Sequence, residues 1–164
     1  MYYFKAAMLR SIIVFLGLLF LSNFANGQTY KLSDTKFLVG NVYRVTNCVC
    51  FELNSSVLRP ESFLYLDSIA DFLKLNNQLE IEVGVHVDAR ASDKSSLRFD
   101  QRRAESIVNY LISKGIESDR LSAKGYWKTK PIIDEKTIEN MDISKSENAH
   151  AINRRIEFKV TMVR

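Results

Sequence analysis

From Ile81 to Asp88 apolar positions alternate with others, as Ile81-Glu82-Val83-Gly84-Val85-His86-Val87-Asp88. A period of two marks a strand that buries one face. The run ends in a carboxylate. Beyond a polar link, Ala89 to Lys94, residues Leu97, Ala104, Ile107, Val108, Leu111 and Ile112 recur at helical spacing. They predict an amphipathic helix from Ser95 or Ser96 to Lys114, with Gly115 as a C-terminal cap able to take positive φ. An acid at a strand end is thus followed by a helix carrying Gln101-Arg102-Arg103-Ala104.

The same reading extends in both directions. A strand is predicted over Cys48 to Leu53, turning through Asn54-Ser55-Ser56. Pro60 then opens a helix, because its fixed φ and missing N–H suit a first turn. Phe63, Leu66, Ile69, Ala70 and Leu73 make its apolar face, and Asn76-Asn77 end it before a strand from Leu79 to Val87. Downstream, a strand over Leu121 to Trp127 and a long polar loop, Glu135 to His150, lead to a last strand from Arg155 to Met162. There Ile156, Phe158, Val160 and Met162 share one face, and Glu157, Lys159 and Thr161 the other. The order β-α-β-α-β-β places two helices on one face of a mixed four-stranded sheet, an α/β (α+β) two-layer sandwich.

The chain ends bound its location. Lys5 and Arg10 precede an almost unbroken apolar core, Ser11 to Leu21, and Ala25 and Gly27 supply small residues before a cut. Residues 1–27 therefore read as a secretory signal peptide; an uncleaved anchor is the competing reading, but the core is shorter than the roughly 20 residues a span needs. No cysteine adjoins the cut, so lipid attachment is not expected. Residues 28–46 form a mixed, polar arm able to add an edge strand, and residues 47–164 have the size of one domain. The formal charge is +4, and loss of Lys5 and Arg10 lowers it further, too small an excess to suggest nucleic acid. No other apolar stretch approaches spanning length, so the mature chain is predicted to have no transmembrane span. The two cysteines, Cys48 and Cys50, point to the same face of a strand, where a mutual disulfide is disfavoured. They read as small apolar core residues, with a redox, metal or intermolecular role as the alternative.

Taken with Gly115-Ile116-Glu117-Ser118-Asp119-Arg120-Leu121, Gly125-Tyr126 and Asn153-Arg154-Arg155-Ile156-Glu157-Phe158, these blocks resemble the peptidoglycan-binding OmpA-like domain, also found in MotB-type and Pal-type proteins. The resemblance covers roughly Asn47 to Val160. It implies a non-enzymatic, exported protein of the Gram-negative envelope, in the periplasm at the cell wall or outer membrane, with peptidoglycan as partner and no cofactor. In that family an aspartate ending the second core strand meets the ammonium of diaminopimelate in the stem peptide, and an arginine on the following helix meets its carboxylate. The motif carries these roles onto Asp88 and Arg103, with Ser96, Leu97 and Arg155 in supporting places.

Each residue also has a plainer reading. Asp88 is a capping or turn residue in many chains, Arg102 and Arg103 suit a solvated helix face, and His86 suits a hydrogen-bonded framework role. Departures cluster at the site. Val85 and Val87 stand where the family has glycine and threonine, Ala91 where it has glycine, Ser96 where it has asparagine, and Asp100 where serine is common. These motivate an alternative, a protein-interaction scaffold of the envelope with a degenerate site, meeting partners through the arm or the 135–150 loop. An enzyme is not expected, since no nucleophile-base-acid set, phosphate loop or metal-ligand cluster occurs.

Overall fold

The computed structural model describes residues 37–45, 49–91 and 96–164, with only the backbone for 96–98. The signal peptide, most of the arm, Cys48 and the side chains of Ser96 and Leu97 lie outside the described residues. The elements are β1 (Val42–Val45), α1 (Phe63–Leu75, entered through a 3-10 turn at Pro60–Ser62), β2 (Leu79–His86) and α2 (Ser96–Ser113). They continue with β3 (Leu121–Trp127), α3 (Glu135–Glu139), α4 (Ile143–Asn153) and β4 (Ile156–Val163).

The strands form one mixed sheet in the order β1-β4-β2-β3, with β2 parallel to β3 and β4 antiparallel to both β1 and β2. The predicted alternation works as a core-facing pattern. Leu79, Ile81, Val83 and Val85 of β2 and Ile156, Phe158 and Val160 of β4 are buried with Leu66, Ile69, Ala70 and Leu73 of α1 and Ala104, Ile107 and Leu111 of α2. Two helices thus cover one face of a four-stranded sheet, as expected. Gly115 has φ +91°, the left-handed cap conformation.

Three features differ from the sequence expectations. Of the Cys48–Leu53 run, predicted as a strand, the described residues 49–53 form a single bridge, Phe51 to Leu58; the sheet is completed instead by the edge strand the arm was expected to be able to add, at Val42–Val45. The Asn54-Ser55-Ser56 turn reverses the chain too soon for a ladder, and Cys50 is half-buried, its N–H and carbonyl both bonded to the Ser62 hydroxyl. The polar 135–150 segment is not a loop but two helices. Each is opened by an aspartate cap, Asp134 accepting from Thr137 N and Asp142 from Lys145 N. Finally, Met162 is 49% exposed, because the β2–β4 register shifts between Glu80 and Ile81 and sets Met162 opposite Glu80, off the core-facing side that Val160 occupies.

Two contacts fix the frame around the site. The buried Arg120 donates from Nε to Leu79 O and from Nη2 to Leu73 O and Asn76 O, tying the α1–β2 turn to the start of β3. On the outer edge of the sheet, Gln101 of α2 donates to Ala123 O and accepts from Gly125 N. Its side-chain amide thereby pairs with β3 as a neighbouring strand would, blunting an open edge. This requires a close approach, since a Cβ at Gly125 would stand 2.6 Å from Gln101 N. Gly125→Ala is expected to destabilise the protein by about 1–3 kcal/mol, the usual cost of overpacking. Urea unfolding measures it, and an unchanged midpoint would contradict the close-approach argument.

Candidate functional site

The C-terminal end of β2 is pinned from both sides. His86 N donates to Arg155 O of the chain entering β4 (2.9 Å) and Val87 N to Trp127 O at the end of β3 (3.2 Å). The β2–β3 register shifts between Val85 and His86, so that His86 stands opposite Trp127. Asp88 follows at once, its side chain only 7% exposed. A carboxylate buried to this degree must be paired.

The partners of Asp88 are arginines that the sequence reading did not select. Its Oδ1 accepts from Arg90 N at 3.0 Å and from Arg90 Nε at 3.5 Å; its Oδ2 accepts from Arg90 Nη2 at 3.0 Å and from Arg154 Nη1. Glu147 of α4 closes the ring, accepting from Arg90 Nη1 at 2.8 Å and Nη2 at 3.2 Å and from Arg154 Nη2 at 3.4 Å. Burial pushes the Asp88 carboxyl up, but the bonds from Arg90 and Arg154 outweigh it and hold the group below the usual carboxylate range. Arg90 and Arg154 were legible only as charges; what makes them partners of Asp88 and Glu147 is tertiary contact across 57 and 66 residues of chain.

Arg103 is placed separately. It rises from α2, half-buried, with Nε donating to Ser55 O at 2.9 Å and the guanidinium 5.0 Å over the Phe51 ring. The short Asn54–Ser56 turn, where Asn54 takes φ +50°, is therefore what aims this side chain. Both Nη groups lack a hydrogen-bond partner among the described residues. Burial draws its pKa below arginine's ordinary value. The structure thus joins Asp88 to Arg90 and Arg154, and not to Arg103.

The remaining candidates divide. Arg155 is buried and its donors are spent on the frame: Nε to Glu157 Oε1 at 2.7 Å, Nη2 to Lys130 O and Nη1 to Asn153 O. Glu157 also accepts from Arg44 across the β1–β4 pair and lies 3.3 Å from His86 Nε2. His86 is buried and stacked on Tyr126, centroids 4.7 Å apart, a framework position. Burial holds its pKa below the ordinary histidine value despite the nearby Glu157. Ser96 and Leu97 have no described side chains. Val85, Val87 and Ala91 fit without left-handed backbone, since Asn54 and Trp127 are the non-glycine residues with positive φ among those described.

A model of the OmpA family matches residues 50–144. The chain belongs to the OmpA family. Outer membrane porin F of Pseudomonas fluorescens is 31% identical over 122 residues, 74% of this chain and 35% of the porin, so the chain spans about a third of that relative's length. A MotB-like protein of Desulfovibrio vulgaris superposes with a TM-score of 0.60 at 24% identity, covering 74% of each chain. The peptidoglycan-associated lipoprotein of Burkholderia pseudomallei gives 0.52 at 23% identity, covering 71% of this chain and 87% of the other. At these identities both share the fold.

Within this OmpA family domain, Asp100 is the departure with the clearest physical signature. It is fully buried between α2 and the end of β3; Oδ2 accepts from Trp127 N at 2.6 Å, where Trp127 takes φ +49°, while Oδ1 has no partner among the described residues. Burial raises its pKa. A carboxyl whose folded pKa is raised contributes stability below its unfolded value of 3.8 and loses it as pH rises through the folded value. Asp100→Asn is therefore expected to be more stable than the parent at pH 7, with the gap narrowing toward pH 4. Thermal melts across that range check it, and a gap independent of pH would contradict the assignment.

Proposed function

We propose that this is a non-enzymatic protein of the cell envelope, exported to the periplasm, that binds peptidoglycan without covalent attachment through diaminopimelate in the stem peptide. The observation that carries the reading is the unspent half of Arg103. In a chain of this family, a half-buried guanidinium on the helix after β2 keeps both Nη donors without a partner among the described residues. Such a planar fork gives two parallel hydrogen bonds to one carboxylate. Asp88, buried and held ionised, is the matching anion for the ammonium on the same ligand carbon. The name of the similar Burkholderia protein, a peptidoglycan-associated lipoprotein, agrees with this ligand class.

One observation favours a second reading. Asp88 is already engaged by two guanidiniums, as it would be in a scaffold whose ligand site has fallen out of use and whose surface serves a protein partner. No helix among the described residues is long and apolar enough to cross a membrane.

Co-sedimentation of the purified protein with insoluble sacculi separates the two. Under the peptidoglycan reading the protein pellets with sacculi and free diaminopimelate releases it. Asp88→Asn and Arg103→Ala each weaken binding by roughly thirtyfold or more, the loss expected when one partner of a desolvated charge contact is removed. Absence of binding by the folded parent and by its site variants would favour the scaffold.

A further inference from the structure

We propose that Arg90 is a built-in competitor for the ligand at Asp88, held in place by Glu147; this rests on the peptidoglycan reading above and names how that site is regulated. An ionised carboxylate offers about four lone-pair positions. At Asp88 four donors occupy them: Arg90 N and Nε on Oδ1, Arg90 Nη2 and Arg154 Nη1 on Oδ2. Three come from Arg90, and two of those from its side chain. An incoming ammonium finds no open position, and reaches Asp88 only when the Arg90 guanidinium leaves.

The geometry makes that departure feasible and controllable. The Asp88 side chain is 7% exposed, whereas those of Arg90 and Glu147 are 48% and 57% exposed, so the guanidinium can move into water while the carboxylate stays fixed. When it moves, Arg154 and the Arg90 backbone N–H remain on Asp88, which is therefore not left as a bare buried charge. Glu147 grips the outer edge of Arg90 with both oxygens, a bidentate hold. It rides on α4, so the stability of that polar helix and the ionic strength of the medium set how firmly the plug sits. Arg90 thus mimics the cationic half of the ligand.

The test compares sacculus binding of the full chain with that of Arg90→Ala and Glu147→Gln, Asp88→Asn serving as the site control and thermal melts confirming folding. Arg90→Ala is expected to bind roughly fivefold more tightly than the parent, the factor that one half-exposed ion pair accounts for. Glu147→Gln shifts the same way by less. Binding by Arg90→Ala when the parent shows none would be the same result in its strongest form. Equal or weaker binding by both variants, with Asp88→Asn still abolishing it, would overturn the plug and leave the peptidoglycan reading standing. Failure of the folded parent and of every folded variant to bind would overturn both.

Discussion

A carboxylate buried at the end of a central strand has to be neutralised where it stands. Asp88 follows β2, whose backbone is fixed by β4 on one side and β3 on the other, so it cannot retreat into solvent. Counter-charge must come to it. Arg90 arrives from the turn after the strand, and Arg154 from the junction of α4 and β4, while Glu147 on α4 balances the pair. The docking of the 135–153 segment beside the site follows from this requirement. It is reinforced by the buried Asn153, which clamps the backbone of Ile132 and Ile133.

The two charged residues of the proposed site are set by different parts of the fold. Asp88 depends on strand register, and Arg103 on how the turn after Phe51 docks on α2. Between them Asp100 and Gln101 bind the last residues of β3 to the helix. The altered positions around Asp88 are absorbed in this frame. Val85 places its side chain in the core, and Ala91 N closes a turn onto Asp88 O without positive φ. The Asp88 carboxylate itself is occupied by Arg90 and Arg154.

Much of the fold was legible because its signals are local. The strands expected at 79–87, 121–127 and 155–162, the first and last read from period-two runs, and the helices at 60–76 and 95–114 fall within about a residue or two of the observed elements, the first helix entered through its 3-10 turn. The misses have physical reasons. The Cys48–Leu53 run is apolar enough to read as a strand but is cut off by its turn, and the edge strand comes from the arm, at Val42–Val45. The helices α3 and α4 are polar on most faces and carry little amphipathic signal; the aspartates at 134 and 142, each followed three residues later by the group it caps, were the available clue. Asp88 and Arg103 were found through a family motif, whereas Arg90, Glu147 and Arg154 form a cluster only after folding.

The most direct measurement is a crystal structure of the protein grown with diaminopimelate. The ligand's ammonium is expected on the Asp88 carboxylate, its carboxylate on the Nη pair of Arg103, and the Arg90 side chain displaced from Asp88. Ligand density elsewhere on the molecule, or a bound ligand beside an unmoved Arg90–Asp88 pair, would contradict that arrangement.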